Sequence, residues 1–197
     1  MRVAAAVLAA GRGARLAGEV AKPLTQLGGR PLVRWALDAV RAADLSPVLL
    51  VVGRHGGAVA AAASPAVTIV HAPRWHEGIA HSLHVALEAI QPYQEVSAVC
   101  VGLADQPLVG ADAYRRLVAA HVNGATLAVA TYDGVRGNPV LLGRELWPDA
   151  LALRGDIGAR ALMGDHDVVE VDCTDTGSPA DVDTIDDLHA LERELPE

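Results

Sequence analysis

Short apolar runs alternate with helical patterns along the chain, and this alternation limits the fold more than any other feature of the sequence. Continuous apolar runs indicate strands buried on both faces, and apolar residues that repeat with a helical period indicate amphipathic helices. The predicted strands cover residues 3–10, 48–52, 67–70, 98–103, 126–131, 139–142 and 168–171. The predicted helices cover residues 31–43, 78–90, 112–121, 158–163 and 185–195.

Strands that alternate with helices in this way are joined by right-handed crossovers and form a mostly parallel sheet. The chain is 51% hydrophobic, so it has enough aliphatic surface to bury a core. No internal repeat, linker or low-complexity stretch divides it. We therefore expect a single domain over residues 1–197 with an α/β fold, in which helices flank a mostly parallel central sheet.

The charge of the chain restricts its partners. With 24 acidic and 16 basic residues, the formal net charge is −8. A field of this sign disfavours nucleic acid and anionic membranes, although a small anionic ligand can bind where basic residues converge. The apolar N-terminal run is too short to span a bilayer, and two widely separated cysteines suit a reducing compartment. We expect a cytoplasmic protein that binds neither nucleic acid nor membrane.

A glycine-rich segment, residues 8–24, follows the first predicted strand. Ligands of parallel α/β sheets bind at the carboxyl ends of the strands, so this segment is the first candidate for a binding site. Glycines let backbone N–H groups approach phosphate oxygens, and arginine and lysine neutralise phosphate charge. The glycines and cations in question are Gly11, Gly13, Gly18, Arg12, Arg15 and Lys22. This composition predicts a triphosphate-binding loop.

Two better-known phosphate loops do not match this segment. A P-loop requires GxxxxGK[ST]; Gly13 and Gly18 have its glycine spacing, but Glu19 and Val20 follow them. A dinucleotide-binding loop requires GxGxxG, and Leu16 stands where its third glycine belongs. The segment is therefore a phosphate loop of another kind.

Carboxylates follow two later segments. Asp105 comes directly after the fourth predicted strand, where it is well placed to hold Mg²⁺ on a triphosphate. Asp181 and Asp183 stand at alternate positions of an extended stretch before the last helix, so they face the same way and either one is a candidate second ligand, with Asp183 favoured. Asp183 or Thr184 is the expected cap of that helix.

Segment 8–24, LAAGRGARLAGEVAKPL, resembles the signature LAAGxGxRxG…KPL of the GT-A-like nucleotidyltransferases. Five further motifs occur in the order that this family shows: GIAHSL at 78–83, DQP at 105–107, GNPVL at 137–141, GDIGAR at 155–160 and DVDT at 181–184. Together they resemble the molybdenum cofactor cytidylyltransferases, a branch of the MobA-like NTP transferases. The resemblance covers nearly the whole chain and implies a Rossmann-like GT-A fold.

The resemblance also implies a set of site residues. Those that would bind the nucleotide are Leu8, Ala9, Ala10, Gly11, Gly13, Arg15, Lys22, Ser82 and Asp105. Of these, Arg15, Lys22 and Asp105 would act in catalysis, and Asp105 and Asp183 would hold Mg²⁺. The form LAAG, rather than LAGG, resembles the cytidylyl branch and favours CTP as the nucleoside triphosphate.

The implied reaction is transfer of a cytidylyl group from CTP to a phosphorylated small molecule, with release of pyrophosphate. Molybdopterin is the favoured acceptor. The resemblance also implies a transient contact with the enzyme that receives the cofactor. Two alternatives stay open. One is nucleotidyl transfer to another acceptor, such as a sugar phosphate, an alcohol phosphate or a deazaflavin precursor. The other is a non-catalytic nucleotide-binding chaperone of a cofactor.

Four histidines cluster between residues 71 and 84, and His81 and His84 lie three apart on a predicted helix. No carboxylate completes a metal-binding set with them, so we expect solvated histidines or histidines at the rim of a pocket. Trp75 and His76 are candidates for stacking in the acceptor pocket.

Overall fold

A computed structural model describes residues 2–11 and 21–195 of the chain. The strands are β1 (Arg2–Ala9), β2 (Gln26–Leu27), β3 (Arg30–Pro31), β4 (Val48–Val52), β5 (Thr68–His71), β6 (Val96–Leu103), β7 (Leu127–Tyr132), β8 (Val135–Gly143) and β9 (Val169–Asp172). The α-helices are α1 (Leu32–Ala42), α2 (Gly56–Ala62), α3 (Ile79–Ile90), α4 (Ala111–Val122), α5 (Trp147–Ala152) and α6 (Ile185–Glu192). Within the described ranges, none of these helices is long and apolar enough to cross a membrane.

Seven strands form the central sheet in the order β5-β4-β1-β6-β8-β7-β9. Every neighbouring pair is parallel except the two that involve β8, which runs against β6 and β7. Strands β2 and β3 form a separate antiparallel pair. The predicted α/β fold with a mostly parallel central sheet is therefore confirmed, with one reversed strand that the apolar pattern alone does not reveal.

Alternate residues of the central strands feed two cores, one on each face of the sheet. Along β1, Val3, Ala5 and Val7 pack on the face covered by α1 and α4, while Ala4, Ala6 and Leu8 pack on the face covered by α3. Burial on both faces explains why these strands have unbroken apolar sequences. Small alanines on β1 allow helices to approach the sheet closely.

One predicted helix has a different form, and two of the α-helices were absent from the prediction. The predicted helix at 158–163 is a 3₁₀ helix, Ala159–Gly164, in which Ala159 and Leu162 are buried one 3₁₀ turn apart. Helix α2 was not predicted because its sequence, GGAVAAA, begins with two glycines and has little apolar periodicity. Helix α5 is only six residues long and carries a proline in its first turn, so it offers no repeating period.

The carboxyl ends of β1, β4 and β6 meet at one edge of the sheet. The ladder pairs Ala9 with Val52 and Leu8 with Leu103, so the chain leaves these strands at the same level. The N–H of Ala104 continues the ladder with a 3.0 Å hydrogen bond to the carbonyl of Leu8. Segments 8–24 and 105–107 therefore begin side by side, as expected for parallel strands.

The N-terminus of α3 is attached to the loop at residues 155–156. The N–H of Ile79 donates to Oδ1 of Asp156 at 3.3 Å, and the N–H of Ala80 donates to the carbonyl of Gly155 at 3.2 Å. Gly78, which precedes the helix, has φ of +111° and packs directly on the Gly155 backbone. These contacts satisfy two of the free N–H groups at a helix start and fix the helix against the loop.

Helix α3 also buries two histidine rings. His81 is only 7% exposed, and Nε2 of both His81 and His84 is buried with no hydrogen-bond partner among the described residues. Burial lowers the pKa of His84, and the positive charges of Arg154 and His81 lower it further, against weaker opposing effects of the Ala150 carbonyl and Glu88. The expectation of solvated or pocket-rim histidines is therefore wrong for His81, because this face of α3 packs against α5.

Replacement of Gly78 by alanine should destabilise the protein by at least about 1–3 kcal/mol, because the new Cβ would overlap the Gly155 carbonyl at a positive φ. Urea denaturation measures the change. Gly57→Ala in α2 is the matched control, since its Cβ meets no atom within 4 Å, and it should stabilise the protein slightly. Equal stability of the two variants would contradict the proposed tight contact.

The lowered pKa of His84 predicts a loss of stability in mild acid. Because the folded state takes up this proton less readily than the unfolded state, stability is complete above the ordinary pKa near 6.5 and falls as the pH drops below it. His84→Leu should reduce the slope of unfolding free energy against pH between about pH 6.5 and 5. The same change at exposed His189 on α6 should leave the slope unaltered; an unchanged slope in His84→Leu would refute the prediction.

Candidate active site

Lys22, the only lysine of the chain, lies between two carboxylates from distant parts of the sequence. Its Nζ is 2.6 Å from Oδ2 of Asp105 and 2.6 Å from Oδ1 of Asp183. Because both oxygens contact the same nitrogen, they are at most twice that distance apart. A single cation therefore bridges the two predicted metal-binding carboxylates.

Lys22 is much more buried than Asp183: its side chain is 12% exposed, compared with 70% for that of Asp183. Burial lowers the pKa of Lys22, but the hydrogen bonds and negative charges of Asp105 and Asp183 raise it by more, so the net pKa lies above the ordinary value of 10.5. Lys22 is thus a positively charged ammonium at physiological pH.

Each member of this group is positioned by its local backbone. Lys22 opens a 3₁₀ helix, Lys22–Leu24, with a proline at its second residue. Asp105 is the second residue after β6, and its carbonyl accepts a 2.9 Å hydrogen bond from the N–H of Val182. Asp183 precedes α6, and its N–H donates to Oδ2 of Asp187 at 3.0 Å.

The cap of α6 explains the remaining acidic residues of this stretch. Thr184 is the N-cap, and it forms a capping box with Asp187. Hydrogen bonds from the Thr184 hydroxyl and N–H hold the pKa of Asp187 below its ordinary value. Of the two predicted caps, Thr184 is therefore the actual one, and the Asp183 side chain is left to contact Lys22.

A cavity of about 330 Å³ opens beside Lys22, and we call it the Lys22 cavity. Its described lining residues are Leu8, Ala9, Gly11, Lys22, Pro23, Trp75, Gly78, Ile79, Ser82, Leu103, Ala104, Asp105, Asp156 and Asp183. One wall is the end of β1, a second is the start of α3 with the buried Ser82, and the rim carries the Lys22 group. The cavity therefore lies at the carboxyl edge of the sheet.

Most of the residues predicted for nucleotide binding surround this cavity. Leu8, Ala9, Gly11 and Ser82 line it together with Lys22 and Asp105. Ala10 is different: its side chain is 1% exposed and belongs to the core on the α3 face of the sheet. Predicted residues Gly13 and Arg15 fall in segment 12–20, outside the described residues.

Asp181 and Asp183, of which the sequence favoured Asp183 as a metal ligand, face different cavities. Asp183 contacts Lys22, whereas Asp181 lines a second cavity. Desolvation raises the pKa of Asp181, and the charges of Asp105 and Asp183 raise it further. Asp183 is thus the carboxylate that pairs with Asp105 around a shared cation.

The second cavity, about 370 Å³, lies next to the first, and we call it the Asn138 cavity. It shares Leu8, Ile79, Leu103 and Asp156 with the Lys22 cavity and adds Leu83, Val101, Gln106, Asn138, Val140, Gly158, Ala159, Arg160 and Asp181. Its floor is aliphatic and its polar groups stand on one side. Two adjoining cavities with a common wall can hold two reactants in contact.

Trp75 lines the Lys22 cavity, not the neighbouring cavity. Gly53 makes room for it, because a Cβ at Gly53 would lie 3.0 Å from Cβ and Cγ of Trp75 and 2.8 Å from the Ala10 carbonyl. The only signal in the sequence for this contact was a glycine directly after a predicted strand. Asp156 borders both cavities. It belongs to the GDIGAR motif, but it was not among the predicted site residues.

Residues 5–171 match the family model described as the MobA-like NTP transferase domain. Among curated proteins, the bifunctional protein GlmU of Anaeromyxobacter sp. (strain Fw109-5) is 41% identical over 135 residues, which cover 66% of this chain but 27% of that protein. The chain thus matches only about a quarter of the length of this relative.

A second relative matches over its full length. Nicotine blue oxidoreductase of Paenarthrobacter nicotinovorans is 30% identical over 200 residues, which cover 96% of each chain. The name describes the activity of that protein, and the two sequences match over nearly their whole length.

A similar solved structure is Rv0371c of Mycobacterium tuberculosis H37Rv, with a TM-score of 0.84, 30% identity and 98% coverage of each chain. A manganese complex of Rv0371c matches with a TM-score of 0.79 and 28% identity over 99% of this chain and 100% of that one. The family match, the fold and the ordered motifs agree: the chain belongs to the MobA-like NTP transferase family of nucleotidyltransferases.

Proposed function

We propose that this protein transfers a nucleotidyl group, favoured as cytidylyl, from a nucleoside triphosphate to a phosphorylated acceptor and releases pyrophosphate. The observation that carries this proposal is the position of Lys22, whose ammonium is held by Asp105 and Asp183 at the rim of a cavity formed by the ends of parallel strands. A triphosphate needs positive charge and a pair of carboxylates that can bind a metal ion. Lys22 supplies the charge, and Asp105 and Asp183 supply the carboxylates.

Asp105 and Asp183 fit a magnesium ion. Their oxygens already share one cation, the Lys22 ammonium, and the described residues contain no group of three or more His, Cys, Asp or Glu side chains suited to a metal. Magnesium often binds through one or two carboxylates and completes its shell with substrate phosphates and water. When bound, Mg²⁺ would neutralise charge that builds up on the triphosphate.

The residues of the chain would then position and neutralise the reactants. Lys22 supplies a fixed positive charge to phosphate oxygens, and Ala9, Gly11 and Ser82 shape the part of the cavity away from that charge. An anionic oxygen of the acceptor phosphate attacks the α-phosphorus, a new P–O bond forms, and the bond to the β-phosphate oxygen breaks. No general base is required, because the attacking oxygen carries no proton.

The acceptor that we favour is molybdopterin, and the Asn138 cavity is its proposed site. Support comes from the motif resemblance and from the common wall of the two cavities, which would bring an acceptor phosphate next to the α-phosphorus. The similarity to part of GlmU favours a second candidate, nucleotidyl transfer to a sugar phosphate. Pyrophosphate release in the presence of molybdopterin, a sugar phosphate or an alcohol phosphate separates these acceptors.

Because the chain is similar to nicotine blue oxidoreductase, the purified protein should also be tested for oxidoreductase activity. Oxidation of NADH by the purified protein, with a quinone-type dye as oxidant, should remain at background, because segment 8–24 lacks the third glycine of the dinucleotide loop. Robust NADH oxidation without pyrophosphate release would overturn the proposed function.

Lys22→Ala and Asp105→Asn should each lower the rate of pyrophosphate release on the order of 10²–10³-fold, as expected when one electrostatic group is removed from a preorganised site. Lys22→Arg keeps the charge and should lose less. Asp112→Asn, an exposed change on α4, is the matched control and should keep the wild-type rate. Near wild-type release by both Lys22→Ala and Asp105→Asn would refute the assignment.

Nucleotide preference can be read from thermal stability. With Mg²⁺ present, CTP should raise Tm more than GTP, ATP or UTP at equal concentration, because a ligand that binds only the folded state stabilises it more the lower its Kd is relative to its concentration. Addition of EDTA should reduce the shift if the carboxylate pair binds the metal. Equal shifts for all four nucleotides would contradict a cytidylyl preference.

A further inference from the structure

The side-chain amide of Gln106 is held in one orientation. Gln106 is 5% exposed, and its Nε2 donates to the carbonyl of Pro179 at 2.8 Å. A carbonyl can only accept a hydrogen bond, so the –NH₂ group of Gln106 must face Pro179 and its Oε1 must point the other way.

This orientation is passed on to Asn138. The Nδ2 of Asn138 donates to Oε1 of Gln106 at 2.9 Å. Since Oε1 is an acceptor, a flipped Asn138 would place two oxygens in contact, and the amide of Asn138 is therefore fixed as well. Its backbone is held by a 3.0 Å hydrogen bond from the Tyr132 hydroxyl to the Asn138 carbonyl.

Because Nδ2 of Asn138 is bonded to Gln106, Oδ1 is the atom of this amide that can accept a hydrogen bond from a ligand. Asn138 lines the Asn138 cavity, and within the described ranges no donor is bonded to its Oδ1. A hydrogen-bond acceptor at a cavity wall that cannot rotate into a donor discriminates strongly, because a ligand carbonyl placed there would face oxygen with oxygen.

Two of the other polar side chains of the cavity are acceptors like Oδ1 of Asn138. These are the carboxylates of Asp156 and Asp181, whereas Arg160, the only cationic side chain among the described lining residues, donates. The floor is aliphatic and includes Leu83, Val101 and Val140. The cavity is therefore suited to a flat, uncharged ring whose edge carries N–H or O–H donors.

We propose that Asn138 is a specificity-determining residue, whose Oδ1 selects an acceptor ring with a hydrogen-bond donor at its edge, and that Gln106 is the positioning residue that sets this polarity. The inference deepens the proposed function, since it rests on the Asn138 cavity being the acceptor site. Oδ1 of Asn138 would contact the edge of the ring, and the hydrogen bond to Gln106 sets the orientation of this atom.

Pterin and lumazine are matched probes for this proposal. They are planar, fluorescent bicyclic rings that differ at one edge carbon, where pterin carries an amino group, which donates, and lumazine a carbonyl, which accepts. Both rings have an N–H on one side of this carbon and lumazine has another on the other side, so the pair tests the group on the carbon itself. Titration of each ring into the full-length protein, followed by fluorescence, gives a Kd for each. The wild-type protein should bind pterin roughly tenfold more tightly, as expected for one hydrogen bond gained and one repulsive contact avoided.

Three variants test which atom is responsible. Asn138→Leu removes Oδ1 and should abolish the preference, so that pterin and lumazine bind with about equal Kd. Gln106→Leu removes the oxygen that accepts from Nδ2 of Asn138, so the amide of Asn138 is free to flip and the preference should fall while Asn138 itself is intact. Asn123→Leu, at the only other asparagine and on the exposed end of α4, is the control and should keep the wild-type ratio.

Circular dichroism and Tm confirm that each variant is folded, and if Asn138→Leu is unfolded, Asn138→Ala, which also lacks Oδ1, replaces it. A wild-type preference that is lost in the Asn138 and Gln106 variants supports the proposal. Equal binding of the two rings by the wild type, retention of the preference by Asn138→Leu, or no binding of either ring overturns it. Pyrophosphate release with phosphorylated acceptors is measured separately, so failure of the proposed function is recognised independently.

Discussion

The ion pairs of Lys22 with Asp105 and Asp183 join three segments that are far apart in sequence. Without the ammonium, two carboxylates would face each other at the cavity rim with no described cation between them, and their repulsion would push segment 179–183 away from the end of β6. Since the Lys22 side chain is largely buried, this charge is compensated locally and not by solvent. The shape of the Lys22 cavity, and the place where a metal could bind, both depend on this interaction.

Two consecutive residues serve the two cavities. Asp105 contacts Lys22, while the next residue, Gln106, orients Asn138. Both also attach to segment 179–183, Asp105 through its carbonyl to the N–H of Val182 and Gln106 through its amide to the carbonyl of Pro179. Docking of this one segment beside β6 therefore organises the charge of the first cavity and the hydrogen-bond polarity of the second. A substitution that loosens the segment is expected to affect both.

The family match covers only part of this site. The family model ends at residue 171, so it includes Lys22 and Asp105 but not Asp183 or segment 179–183. Full-length similarity, as with Rv0371c, extends through the latter segment. The matched part of the chain thus contains Lys22 and Asp105, and the part beyond the match contains Asp183 and Pro179, whose carbonyl binds Gln106.

Much of this protein follows from its sequence alone. Unbroken apolar runs determined the buried strands, the order of strands and helices determined a mostly parallel sheet, and the placement of Lys22 and Asp105 after strands predicted that they meet at one edge of it. The pattern did not reveal that β8 is reversed, because an antiparallel strand buried on both faces has the same apolar sequence as a parallel one. Only the tertiary structure decided that Asp183, and not Asp181, contacts Lys22, and that the Asn138 amide is held by Gln106. Both depend on how segment 179–183 packs against Asp105 and Gln106, and hydrogen bonds between residues so distant along the chain leave no periodic trace in it.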